Sequence, residues 1–230
     1  MKIIRTKFNK EKDMIYISHL DLQKLLQRAF RRAQIDLVYS QGFNPHPKIS
    51  YGNALALGTE SYGEYFDVEI ACDIQIDEYI KRMNETLPEG IKFLKAIEID
   101  AKTESLSSII EYGKYRFIMD NEKSFDYNYI FDKVKEFMGK EEIIITKKNK
   151  KGKLVEVNIR ELIKEFKVSK VDEKIVFEAT LSTGSKANLN TNIFIPKILE
   201  VINLDIDPLD VDIIREDLYK VENDKLVTPM

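Results

Sequence analysis

Polar and apolar residues alternate through Lys2–Lys10, which predicts a strand. From Ser18 the period lengthens. Leu22, Leu25, Leu26, Ala29 and Ala33 fall on one side of a predicted helix over Ser18–Gln34, with Ser18 as its N-cap and Asp21 completing a capping-box pattern. Leu37–Tyr39 and Lys48–Leu57 are predicted to be extended on either side of a turn-rich segment, Ser40–Pro47. Glu64–Ala71 reads as another strand. Ile76, Tyr79, Ile80, Met83 and Leu87 stand at helical spacing before Pro88-Glu89-Gly90, and Ile91–Ile99 returns to a strand. The order β-α-β-β-α-β is the ferredoxin-like arrangement, in which two helices cover one face of an antiparallel sheet.

Residues 101–112 are polar enough to predict a linker. Beyond it the order recurs less cleanly. Tyr115–Met119 is read as a strand, Phe125–Met138 as a helix and Glu142–Lys147 as a strand leading to a basic tip, Lys147–Lys153. Leu154–Val157 is read as a strand, Arg160–Phe166 as a short inserted helix, Ile175–Leu181 as a strand, Ile193–Ile202 as a helix and Asp212–Val221 as a strand. The expectation is an α+β protein of two tandem ferredoxin-like units with antiparallel sheets, 1–100 and 113–230, the second embellished.

Composition narrows the chemistry. The formal net charge is −3, yet residues 1–60 carry ten lysines and arginines against five acidic residues, while the rest carries 26 against 34. That asymmetry predicts a basic face on an acidic body. Apolar runs fall short of the roughly 18 residues of a membrane span, and no signal-peptide core opens the chain, so a cytoplasmic protein away from membranes is expected. One cysteine, Cys72, and two histidines cannot make a four-ligand zinc site or a cysteine-held iron–sulfur cluster within one chain. No cofactor bound by this chain alone is expected, and Cys72 is expected to be a small buried apolar residue.

Two stretches stand out as candidate sites. Lys24, Arg28, Arg31 and Arg32 lie together on the helix opposite its apolar stripe, where a phosphate backbone would relieve their mutual repulsion. A solvated helix face explains the same pattern without a ligand. In the segment Tyr39–Lys48, two prolines and Gly42 shape a bend that carries Phe43, His46 and Lys48. Flat rings beside a cation suit stacking on an unpaired base, whereas the plain alternative is a rigid turn whose Phe43 plugs the core. His19 and His46 are candidates for acid–base catalysis on RNA if both reach one phosphate.

Ser18-His-Leu-Asp-Leu22, Arg28-Ala-Phe-Arg-Arg-Ala33, Tyr39-Ser-Gln-Gly-Phe-Asn-Pro-His-Pro47, Gly58-Thr-Glu-Ser61 and Glu64 resemble the radical-SAM-linked proteins of the DUF2344 family. The resemblance extends more faintly through Val157–Arg160 and Ile214–Tyr219. It implies a bacterial protein found alone or fused behind a radical-SAM domain, and it brings no established activity. With one cysteine here, radical chemistry would reside in that partner. The expected function is a non-catalytic, RNA-binding or substrate-presenting accessory of a radical-SAM enzyme in RNA modification or ribosome-related processing. The alternatives are a metal-independent ribonuclease using His19 or His46, and a pure protein-interaction adaptor of a radical-SAM protein.

Overall fold

The computed structural model describes residues 2–120, 125–148 and 152–230. Among these the chain forms strands β1 (Lys2–Lys10), β2 (Ile49–Tyr51), β3 (Glu60–Ile70), β4 (Ile91–Ile99), β5 (Tyr112–Asp120), β6 (Ile144–Lys148), β7 (Leu154–Asn158), β8 (Ile163–Val171), β9 (Lys174–Ser182), β10 (Asp212–Glu222) and β11 (Lys225–Val227). The helices are α1 (His19–Arg32), α2 (Ile76–Thr86), α3 (Leu106–Ile109), α4 (Tyr127–Met138) and α5 (Thr191–Val201). The class is α+β. Two compact units arise, one from residues 1–110 with 215–230 and the other from 111–214.

In the first unit β1 pairs antiparallel with β3 on one side and β4 on the other, and β2 and β10 also adjoin β3. Alternation in β1 and β3 sends Ile4, Phe8, Phe66, Val68 and Ile70 against Leu26, Ala29 and Phe30 of α1 and Tyr79 and Met83 of α2. Each such side chain contributes about 1.5–3 kcal/mol when fully buried. The residues between them meet a second cluster instead, in which Tyr65 packs with Leu106, Ile110 and Leu218. Residues 101–112 are therefore more than a linker: α3 buries Leu106 completely, because Leu106 and Ile110 share one helical face.

The second unit has the strand order β5-β9-β8, all antiparallel, with β6 and β7 forming a separate two-stranded hairpin. Its core joins Phe117, Phe137, Phe166, Phe177 and Phe194. Arg160–Phe166, expected as a helix, is instead a 3-10 turn at Arg160–Leu162 running into β8. Leu162, Ile163 and Phe166 fit either period locally, and pairing of Phe166 with Ala179 and Val168 with Phe177 settles it as a strand. Residues 149–151 of the basic tip lie outside the described residues.

Three further expectations change. Leu37–Tyr39 makes isolated bridges to Ile70 and Pro47 and no strand of its own, and the predicted extension over Lys48–Leu57 shortens to β2. Cys72 is half-buried at the edge of the core. The last change is topological. The second domain expected to run to residue 230 ends at Ile214, and Arg215–Met230 belong to the first unit.

Candidate functional site

Helix α1 begins where the capping pattern placed it. The Ser18 Oγ accepts the Asp21 backbone N–H at 3.1 Å and donates to the Asp21 carboxylate at 2.7 Å. With that register set, Leu22, Leu26, Ala29 and Phe30 are buried and Lys24, Arg28, Arg31 and Arg32 project to solvent. Lys24 Nζ stands 4.0 Å from Asp21, and Arg32 donates to the Thr86 carbonyl at 2.8 Å. Arg31 and Arg32 occupy the last turn, where the helix dipole favours cations.

The other basic residues of the first sixty are differently placed. Lys2 pairs with Asp73 and Glu98, Arg5 with Asp67, Lys7 with Asp217, Lys12 with Glu89 and Lys48 with Glu69. Lys10 is buried. Among the described basic residues of the first sixty, Arg28, Arg31 and Arg32 remain exposed without a close carboxylate, and Lys24 has only Asp21 at 4.0 Å. Lys24, Arg28 and Arg32 line one open concavity of about 500 Å³, with Ile17, Asp21, Leu25, Thr86 and Pro88 completing it.

The bend is held by the Ser40 N–H donating to the His46 carbonyl at 2.8 Å and the His46 N–H donating to Ser40 Oγ at 3.0 Å. It presents Phe43 fully to solvent, so that ring plugs no core. His46 is exposed too, and Lys48 meets Glu69 at 2.9 Å. His46 and Lys48 line a second concavity of about 390 Å³ that shares no residue with the first. The helix and the bend thus offer two separate surfaces.

His19 lines neither. Half-buried at the start of α1, it sets its ring edge-on to Tyr51 at 5.1 Å, with its Nε2 2.9 Å from the Gln23 side-chain amide. Burial lowers its pKa, against the raising effect of nearby Glu64. It lines a small cavity with Lys10, Tyr51 and Glu64, so the two histidines belong to different places.

Sequence reasoning missed the polar groups around that cavity. Arg215 grips both oxygens of Glu64, at 2.8 and 2.5 Å, and donates to the Asn53 carbonyl at 3.0 Å. Glu64 and Arg215 lie 151 residues apart, so no local spacing announces the pair.

An α+β protein with antiparallel sheets and an exposed basic helix is the class these observations define. The sequence profile of the family described as "Uncharacterized protein conserved in bacteria (DUF2344)" matches residues 3–191, and the chain belongs to that family. No curated protein matches it. Among solved structures, the "Crystal Structure of a Cbf5-Nop10-Gar1 Complex" is similar at 10% identity and a TM-score of 0.45, over 95% of this chain and 48% of that chain. The chain thus spans about half the length of that structure. The "Crystal Structure of an Unknown Protein from Galdieria sulphuraria" is similar at 8% identity and a TM-score of 0.27, over 96% of this chain and 99% of the other. Among the described residues, no helix is long and apolar enough to cross a membrane.

Proposed function

We propose that this protein is a non-catalytic, RNA-binding accessory that presents substrate to a radical-SAM enzyme in RNA modification or ribosome-related processing. One observation carries the RNA part: Lys24, Arg28 and Arg32 line one open concavity with Arg31 exposed on the same helix, while Lys2, Arg5, Lys7, Lys12 and Lys48 pair with carboxylates and Lys10 is buried. Exposed cations on one helix face repel one another, and phosphates relieve that repulsion while releasing their counterions. The radical-SAM partner comes from the motif resemblance, and a single cysteine leaves such chemistry to the partner. Two ferredoxin-like units remain the reading of the architecture, supported in the first unit by the order β4-β1-β3 with β2 on β3. Catalysis by two histidines is left out, since His19 and His46 line different concavities.

The test is fluorescence anisotropy with labelled RNA over a salt series. Wild-type protein binds at low salt with a steep logarithmic salt slope. Charge reversal in R28E/R32E weakens binding at least tenfold and flattens the slope by about two, one contact per lost cation. No RNA affinity at low salt would overturn the binding proposal. Failure of a radical-SAM protein to co-purify from the native cell would overturn the accessory role alone.

A further inference from the structure

The small cavity beside His19 has more to say than its size suggests. Its volume is about 10 Å³, room for one oxygen-sized group, and its walls include Lys10, His19, Tyr51, Asn53 and Glu64. What distinguishes it is an excess of hydrogen-bond donors. The Tyr51 hydroxyl is buried and finds no hydrogen-bond partner among the described residues. Lys10, 2% exposed, donates from Nζ to the carbonyls of Ile15 at 3.3 Å and Ile17 at 2.9 Å, which leaves its third N–H. No carboxylate lies within ion-pairing distance of Lys10 among the described residues. His19 lines the same cavity, with its Nε2 2.9 Å from the Gln23 side-chain amide.

The buried carboxylate beside the cavity is already engaged. Glu64 takes the Ser61 hydroxyl at 2.6 Å and both guanidinium bonds of Arg215. A water here would have its own two hydrogens to place. An anionic oxygen only accepts, and it would neutralise a buried ammonium whose charged state is otherwise costly. Burial does lower the Lys10 pKa, against the raising effect of Glu64.

We infer that this cavity is a binding site for one anionic oxygen of a carboxylate or phosphoryl ligand, held by Lys10 and Tyr51 with His19 beside them. Only that oxygen enters. The rest of the ligand lies by Asn53 and Leu55, next to exposed Ala54. The site is separate from the α1 concavity and stands without the RNA reading.

The experiment compares inorganic phosphate and acetate with chloride at constant ionic strength, in the full chain. Thermal midpoints and NMR signals of ring-labelled Tyr51 are followed in wild type, Tyr51→Phe, Lys10→Met and R28E/R32E. One anion raises the wild-type midpoint by several degrees over chloride and moves the Tyr51 signals, and its identity assigns the ligand as carboxylate or phosphoryl. R28E/R32E keeps the whole response, Tyr51→Phe loses most of it and Lys10→Met all of it. If Lys10→Met does not fold, Tyr51→Phe and the wild-type Tyr51 signals decide. Wild type indifferent to both anions, equal responses in Tyr51→Phe and wild type, or a response lost in R28E/R32E would each overturn the site.

Discussion

Burying an arginine costs several kcal/mol unless its guanidinium is matched in geometry as well as charge. Arg5 and Arg215 are each 2% exposed, and each meets a carboxylate through two parallel bonds, Arg5 to Asp67 at 2.8 and 2.9 Å. Arg5 also donates to the carbonyls of Pro229 and Glu104. His19 shows the opposite device, a titratable ring whose pKa burial lowers. An imidazole whose folded pKa lies below its unfolded 6.5 takes up its proton more readily when unfolded. Its contribution is therefore complete above pH 6.5 and is lost as pH falls below that value and through the lower folded pKa. We expect urea unfolding to show a larger drop in stability between pH 7.5 and 5.5 for wild type than for His19→Asn. Equal drops would contradict the assignment. The cap at Ser18 was legible because its partner is three residues away, whereas Arg5–Asp67 and Glu64–Arg215 span 62 and 151 residues.

Elements were readable where local period and chemistry agreed. Strand β1, helix α1, helix α2 and strand β4 lie where alternation and helical spacing put them. Strand β8 was lost because its first residues satisfy both periods, and only pairing with β9 chooses between them. Glycine at position 63 illustrates a constraint of the assembled sheet. A Cβ there would sit 2.5 Å from Asp217 Oδ1 and 2.6 Å from its Cα. That carboxylate accepts the Tyr65 hydroxyl at 2.6 Å and the Lys7 ammonium at 2.5 Å, so it cannot simply move aside. Gly63→Ala should therefore destabilise the protein by about 1–3 kcal/mol or more, read from the denaturant midpoint. A change within 0.5 kcal/mol would show that the strands separate freely there.

At the scale of the whole molecule, the chain leaves the first unit after Ile110 and returns at Arg215. The returning segment supplies Arg215 to Glu64, Asp217 to Lys7 and Tyr65, and Leu218 to the Tyr65 cluster. A chain ended after Ile214 would strand the buried Glu64 carboxylate and the Tyr65 hydroxyl. Its first unit should lose cooperative thermal unfolding, with amides of β1 and β3 exchanging rapidly by NMR, and native-like protection of those amides would refute this. By itself the sequence determined the class, most element positions, the family and the exposure of the α1 cations, because period, capping and charge spacing act over a few residues. Only the tertiary structure decided that the bend and the helix line separate concavities, that residues 215–230 belong with the first unit, and that Lys10, His19 and Tyr51 line one small cavity. Those outcomes depend on which distant side chains share a buried space, and pairing across more than a hundred residues leaves no periodic trace in the chain.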